Sequence, residues 1–381
     1  MNTGTTAALV GSAETCSAKP TRLMSLDALR GFDMFWIVGA EGLVAGLREL
    51  SDASPIRALA NQLEHVAWAG FHFEDLIFPM FVFIVGVSLV FSLSKTIEQH
   101  GRRAAVGHVV RRSALLYLLG VLYYGGFSTP FEQIRLLGVL QRIAIVYLFA
   151  ALIFCFFAWR GRLAWCIGIL IGYWLLMTFV PVPGGTAGNL AEGQNLANWI
   201  DKQFLPLRKW DGDHDPEGLL STLPAIANCL IGVFAGMLLR NQKQSNRTQV
   251  LWLAVAGALL LSMGWLWSIE FPVIKKLWTS SFVLVACGYS CLLLAAFHLV
   301  IEGWGWRRWA LPLVWIGANP ITIYLIDRFV DIPKLAELFV GGDLNELVLG
   351  RYGALGVALV GIAIIFGIAR FLYQRKIFLR F

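Results

Sequence analysis

An uncharged apolar run of about 18 residues, Leu76–Leu93, constrains the chain most, because a helix of that length can cross a bilayer. The polar stretch just before it carries His65, His72, Glu74 and Asp75. Ionisable groups at membrane depth are costly to bury and commonly serve a function. The alternative is an interfacial helix whose charges lie among the lipid headgroups. The pattern therefore predicts a membrane protein with a candidate site at the mouth of this span.

The composition supports a membrane protein. Hydrophobic residues make up 57% of the chain and charged residues only 14%, whereas a soluble domain has roughly 25% charged residues. The 15 tryptophans and 26 phenylalanines suit lipid-facing and interfacial positions. The net charge of +7 comes from basic residues clustered in short loops between apolar runs, so we expect no nucleic-acid partner.

Similar apolar runs recur along the chain and predict an all-α, polytopic bundle of about 10–11 transmembrane helices. Residues 21–381 are expected to form a single transmembrane domain. Residues 1–20 are small and polar without a basic start, which predicts a disordered cytoplasmic tail and not a signal peptide. Basic and acidic loops alternate between the runs, so the positive-inside rule places both termini in the cytoplasm.

Several polar residues lie inside the predicted spans. The first span carries Asp33 and Glu41, and a carboxylate near mid-span should face a protein interior or a cavity. The fourth span contains the pair Gln141 and Arg142, which topology alone does not explain. Asn319 precedes a proline in the ninth span, where a break could free backbone groups to line a cavity. A simple proline kink explains that position equally well.

The loop sequence DGDHDPEG alternates acidic residues as a calcium-binding loop does. Pro216 replaces the required glycine, however, and Thr222 stands where the final glutamate should be. The six cysteines show no CxxC spacing and are interpreted as small core residues. We therefore expect no metal, and we expect Asp215 and Glu217 to hold a cationic amino sugar or to order their loop.

Six motifs follow one another along residues 22–372: SLDALRG, HVAWAGFHFEDLIFPMFVFIVG, GVLQRI, DPEGLL, KKLW and GANPITIYL. Their order resembles the heparan-α-glucosaminide N-acetyltransferase family of transmembrane acetyltransferases, including its shorter bacterial members. The resemblance implies acetyl transfer from cytoplasmic acetyl-CoA to an amino sugar across a bacterial cytoplasmic membrane. It places the family's catalytic histidine at His65. Glu41 stands where the family has an asparagine.

A histidine at position 65 is chemically suited to acetyl transfer to an amine. The amine must lose its proton as it attacks the thioester, and a histidine near neutral pH is a suitable base. His65 could instead take the acetyl group itself, and the sequence does not separate these routes. Glu41 or Asp75 could orient the imidazole, although Asp75 could equally cap its helix. His72 is the weaker catalytic candidate and is assigned to the substrate side.

The phosphates of CoA require arginine or lysine side chains. Arg30, Arg142 and Lys275 fall in the family-like motifs, and we assign them to acetyl-CoA together with Gln141 and Asn319. An amino-sugar permease of the same fold without acyl transfer is the second hypothesis, because Glu41 replaces the family asparagine. The sequence leaves the oligomeric state open, a homodimer being one option.

Overall fold

The computed structural model describes residues 23–50, 54–342 and 350–379. The predicted disordered tail, residues 1–20, lies outside these ranges. The helices are α1 (Met24–Leu50), α2 (Ser54–Gln62), α3 (Phe73–Tyr123), α4 (Val139–Phe156), α5 (Trp159–Phe179), α6 (Leu196–Phe204), α7 (Thr222–Arg240), α8 (Asn246–Trp267), α9 (Ser280–His298), α10 (Leu311–Gly317), α11 (Pro320–Phe329), α12 (Ile332–Val340) and α13 (Gly353–Gln374).

The predicted fold class, an all-α polytopic bundle, is confirmed. Across the described ranges, the strand-like pairings are three isolated bridges. Within the described residues, seven helices are long and apolar enough to cross a membrane, or eight when α10 and α11, which meet at a 65° bend, count as one broken span. The count of 10–11 spans stays a prediction. Helix α1 is 27 residues long but carries Asp27, Arg30 and Asp33 among its apolar residues.

Helix α3 contains two of the predicted spans. Its 51 residues would extend about 76 Å if straight, far more than the roughly 30 Å of a hydrocarbon core. Gly101 interrupts it with φ 79°, a left-handed conformation that glycine adopts without steric cost. The helix therefore consists of two arms, residues 73–100 and 102–123, and each arm is long enough to span the membrane.

The helices approach one another closely at glycines. A Cβ added at Gly232 of α7 would lie 2.1 Å from the carbonyl oxygen of Phe83 in α3. A Cβ at Gly317 of α10 would lie 1.9 Å from the carbonyl oxygen of Asp27 in α1. Small residues at such crossings let membrane helices pack backbone to backbone. These contacts fix α7 against α3 and α10 against α1.

Two apolar cores flank the candidate site. The larger core is built mainly from α3, α4, α7 and α9. The second core is built from α1, α3, α4 and α10–α13. Asp33 is fully buried, as predicted for a carboxylate in the first span. The bend at Asn319 lets α11 continue beside α1 and α3. Helices α1, α3, α4 and α11 thereby frame a cavity that opens at the end of the bundle carrying the α2–α3 loop.

Candidate active site

The α2–α3 loop, residues 63–72, carries His65 and is fixed to the loop between α8 and α9. The amide of Gly70 donates to the carbonyl of Val273 at 2.9 Å, and Ala69 pairs with Ile274 in an isolated bridge. The ring of His72 contacts the carbonyl oxygen of Glu64, Nδ1 to O at 2.9 Å. These contacts give His65 a defined position although its ring is exposed.

Asp75 orients His65 and also caps α3. Its Oδ1 lies 3.1 Å from His65 Nδ1, and its Oδ2 accepts from the amides of His72 (3.0 Å) and Val66 (3.3 Å). The carboxylate is almost completely buried. A carboxylate in this position accepts from Nδ1–H when the ring carries its proton there, and in that tautomer the lone pair that acts as a base is on Nε2. The contacts that the two alternative roles of Asp75 would need therefore occur together in one side chain.

Lys275, which is 210 residues away from His65 in the sequence, completes this group. Its Nζ lies 3.0 Å from His65 Nδ1, 3.4 Å from His65 Nε2 and 3.5 Å from Asp75 Oδ1. Burial lowers the pKa of Lys275, and the negative charges of Asp75 and Glu74 oppose that effect. The sequence assigned Lys275 to acetyl-CoA, and the structure brings it to the histidine.

His65 and Lys275 line a cavity of about 450 Å³, a size that suits a small-molecule site. Its lining combines apolar side chains with a set of ionisable ones. The apolar lining includes Met34, Ile37, Ile77, Phe78, Phe81, Val139, Leu140, Ile143, Trp278 and Ile321. The ionisable lining comprises His65, Glu74, Tyr124, Arg135, Asp211, Glu217, Lys275, Lys276 and Tyr324.

Arg135 organises the acidic loop that closes one side of the cavity. Its guanidinium donates to both carboxylate oxygens of Asp215 at 2.6 and 2.9 Å and to Glu217 Oε2 at 2.6 Å. The rings of Tyr124 and Trp210 lie 4.6 and 4.9 Å from the guanidinium carbon. Asp215 is thus engaged in ordering its loop, while Glu217 also reaches the cavity. Burial raises the pKa of Glu217, and the two arginines nearby oppose this.

Sequence reasoning missed Arg135. The available signal was Arg135 itself, a lone arginine just before the GVLQRI motif. Such an arginine needs a carboxylate partner, but the protein has many other arginines in its short basic loops, so this one did not stand out. The acidic DPEG loop supplies that partner, but it lies 80 residues away along the chain. A pairing at that separation has no local sequence pattern.

Gln141 and Arg142 lie behind the cavity wall at the His65 end. Arg142 is fully buried and donates to the carbonyl of Pro216 and to Ser221 Oγ, with its guanidinium 4.8 Å from the ring of Trp278. Gln141 donates to the carbonyl of Arg135 at 3.3 Å. Neither side chain is part of the cavity lining.

Arg30 and Asn319 lie deeper in the bundle, away from His65. Arg30 donates to Ser88 Oγ at 2.7 Å, to the carbonyl of Gly317 at 3.1 Å and to Asp27 at 3.2 Å. Asn319, two residues beyond Gly317, donates to the carbonyl of Ile377 at 2.9 Å. The structure therefore brings these two assigned residues together, but at the opposite end from Arg142.

His72 and Glu41 are the remaining residues assigned from the sequence. His72 is the N-cap residue of α3, with its ring held against the carbonyl of Glu64, and it is not part of the cavity lining. Glu41 belongs to α1, but its side chain lies outside the described part of the structure. Its proposed role in orienting the imidazole therefore stays a prediction.

One cluster of potential metal ligands lies beside the cavity mouth within the described residues: Glu192, Asp211 and His214. Lys276 Nζ lies 2.6 Å from Glu192 Oε1 and 2.9 Å from Asp211 Oδ2. These pairings raise the pKa of Lys276 against the opposing effect of burial. The lysine thus supplies a positive charge to this cluster, and the expectation that the protein takes no metal stays a prediction.

The sequence of this chain matches a known protein family. The sequence model described as heparan-alpha-glucosaminide N-acetyltransferase, catalytic, matches residues 22–267. The human heparan-alpha-glucosaminide N-acetyltransferase is 26% identical over 368 residues, covering 81% of this chain and 53% of the human protein. The mouse protein of the same name is 26% identical over 320 residues, covering 69% of this chain and 48% of its own length.

The chain spans about half the length of these two relatives. The matched residues 22–267 include His65, Asp75, Arg135, Arg142 and the acidic loop of Glu217. They end just before the loop that carries Lys275, which the structure brings back to His65. The chain belongs to the heparan-alpha-glucosaminide N-acetyltransferase catalytic family.

Proposed function

We propose that the protein is a membrane-bound acyltransferase that moves an acetyl group from cytoplasmic acetyl-CoA to the amine of an amino sugar. The observation that carries the proposal is the His65–Asp75 pair, 3.1 Å apart, whose histidine lines a cavity within the helix bundle. Family membership supports acetyl transfer as the reaction, since both relatives are named as N-acetyltransferases.

In the proposed reaction, His65 Nε2 removes a proton from the sugar amine as the nitrogen attacks the thioester carbonyl carbon. A C–N bond forms, and the carbonyl electrons move to oxygen to give a tetrahedral intermediate. When that intermediate collapses, the C–S bond breaks and His65 returns the proton to the CoA sulfur. Asp75 holds Nδ1–H throughout and stabilises the imidazolium. The route through an acetyl-histidine uses the same base position and remains the alternative.

The CoA moiety is proposed to reach the site from the end marked by Arg30. Ser88, which accepts from Arg30, lies 13 residues beyond Asp75 on α3, or about 20 Å along the helix. Arg30 and Met34 are four residues apart and so lie on the same face of α1, and Met34 lines the cavity. Phosphates held by Arg30 and Asn319 would therefore leave the pantetheine arm to bridge this distance. Gln141 and Arg142 lie at the acyl end, where they are proposed to support the cavity wall.

The amino sugar is proposed to enter at the mouth of the cavity. Glu217 lines the cavity and attracts a cationic amine, whereas Asp215 is saturated by Arg135 and two backbone amides. His72, fixed at the start of α3, is proposed to shape the same entrance. With the basic turns in the cytoplasm, this mouth faces the periplasm of a bacterial cytoplasmic membrane.

The experiment supplies purified protein with acetyl-CoA carrying a labelled acetyl group, together with glucosamine. Formation of labelled N-acetylglucosamine at a rate well above that of protein-free controls supports the proposal. A protein that produces none, yet takes up glucosamine when reconstituted into liposomes, would be a permease. That result would replace the acyltransferase proposal with the second hypothesis from the sequence.

A further inference from the structure

Lys275 is the one cation that contacts both members of the His65–Asp75 pair among the described residues. Its Nζ lies within 3.4 Å of both ring nitrogens, and its separation of 3.5 Å from Asp75 Oδ1 is long for a charged hydrogen bond. The chain reaches this place from 210 residues away, through a loop pinned to the His65 loop by the Ala69–Ile274 bridge. The ammonium is therefore held beside the ring by tertiary structure.

The Asp75 carboxylate and the negative oxygen that forms on the acetyl carbon would both attract this ammonium during acetyl transfer. In the resting site, Lys275 pairs loosely with Asp75 while the imidazole is neutral. When His65 takes a proton, Asp75 becomes the partner of the imidazolium. Lys275 would then share Asp75 with the imidazolium, with Glu74 as its other neighbouring carboxyl group, at the moment when a negative oxygen forms on the acetyl carbon. A group attacked by an amine that His65 deprotonates must lie within a few ångström of the ring, and therefore near Nζ as well.

We infer that Lys275 is a catalytic residue that binds the acetyl carbonyl oxygen and stabilises its negative charge in the tetrahedral intermediate. This inference rests on the proposed function. As the new C–N bond forms, the electron pair of the C=O bond moves to oxygen, which accepts a hydrogen bond from the Lys275 ammonium. Two ion pairs then coexist, imidazolium with Asp75 and oxyanion with Lys275. Breakage of the C–S bond restores the carbonyl and returns Lys275 to Asp75.

A donor without phosphates separates this role from a phosphate clamp. S-acetylpantetheine carries the same thioester as acetyl-CoA but lacks the nucleotide and all phosphate groups. A lysine that acts on the carbonyl should matter equally for both donors. A lysine that holds a phosphate should matter only for acetyl-CoA, and chiefly through KM.

The experiment compares Lys275→Met, which removes the charge, and Lys275→Arg, which retains it, with the parent protein. Each is assayed with glucosamine and both donors, and each is checked for folding by its melting temperature. Lys202→Met serves as the control, because Lys202 is exposed and pairs with Asp213 outside the cavity. It should retain parental rates.

We expect Lys275→Met to lower kcat by about 10²–10³-fold with both donors and to leave KM for the donor within a few-fold, as for the loss of an oxyanion donor. Lys275→Arg should recover part of that loss. A loss seen only with acetyl-CoA, or rates within a few-fold of the parent, would overturn the inference while leaving the proposed function intact. An inactive parent would overturn the proposed function and the inference together.

Discussion

At the scale of single residues, Asp75 has two tasks that can be separated by mutation. One carboxylate oxygen contacts His65 Nδ1, and the other accepts from the amides of Val66 and His72. An asparagine retains an oxygen for the backbone amides but loses the charge that stabilises an imidazolium. Asp75 is therefore the position where orientation of the base can be tested with the loop kept in place.

We predict that Asp75→Asn lowers kcat for acetyl transfer by about 10²–10⁴-fold, because the charge that supports the protonated histidine is gone. Asp75→Ala should show the same loss of activity and, in addition, a stability loss of about 0.5–2 kcal/mol from the missing helix cap. Steady-state rates and melting temperatures of the two variants measure these effects. An Asp75→Asn variant with near-parental rates would remove Asp75 from the mechanism.

Asp201 in α6 gives a pH-dependent contribution to stability outside the membrane-spanning helices. Burial raises its pKa to about 6, although its carboxylate accepts from the amide of Leu219 at 2.8 Å. The folded state therefore binds a proton more tightly than the unfolded state does. This contribution to stability is greatest below the unfolded pKa near 3.8 and is lost as the pH rises through about 6.

Asp201→Asn cannot ionise, so its melting temperature should depend less on pH between 5 and 7 than that of the parent. The expected difference in slope corresponds to about 1 kcal/mol across that interval. Differential scanning fluorimetry of both proteins at several pH values checks it. Parallel curves for the two proteins would show that Asp201 ionises with its ordinary pKa.

At the scale of helices, close packing at glycines fixes the frame of the cavity. Gly317 lies where α10 crosses α1, immediately before the bend that leads into α11. Gly168 in α5 is a matched counterpart, because a Cβ there would meet no atom within 4 Å. The same substitution at the two sites therefore isolates the effect of helix contact.

We predict that Gly317→Ala destabilises the protein by about 1–3 kcal/mol, since the new methyl group would force α1 and α10 apart. Gly168→Ala should be neutral or stabilising by up to about 1 kcal/mol, because alanine favours the helix. Melting temperatures in one detergent, measured side by side, decide between these outcomes. Equal behaviour of the two variants would mean that the α1–α10 crossing is loosely packed.

Local sequence patterns predicted the helices well but predicted the site only in part. Apolar runs and their flanking charges identify membrane-spanning helices, and His65 and Asp75 lie close enough in sequence for a shared loop to join them. Lys275 and Arg135 could be placed only by tertiary structure, since their partners lie 210 and 80 residues away. Arg30 and Arg142 looked alike as cations in family-like motifs, yet they lie at opposite ends of the bundle because successive helices alternate in direction.

At the scale of the whole molecule, the sidedness of the bundle decides how acetyl groups would cross the membrane. The predicted orientation places the loop between α5 and α6 outside the cell and the loop between α7 and α8 in the cytoplasm. Thr186 and Gln242 are exposed residues of these two loops. The five described cysteines are buried, which keeps their background labelling low.

In intact cells, Thr186→Cys should react with a membrane-impermeant maleimide, and Gln242→Cys should react only after lysis. Cys16 is replaced by serine in both variants to remove the remaining thiol outside the described residues. Mass spectrometry of the labelled peptides reads the result. The reverse pattern would invert the orientation and put the His65 cavity on the cytoplasmic side.

Acetyl transfer across a sealed membrane tests the central claim most directly. Purified protein is reconstituted into liposomes with glucosamine on the side of the His65 loop and acetyl-CoA on the other, and N-acetylglucosamine is counted over time. The parent should form product while CoA stays on its own side, and His65→Ala should lose about 10²–10⁴-fold in rate with acetyl-CoA binding nearly unchanged. Product formation by His65→Ala at close to the parental rate would contradict the account.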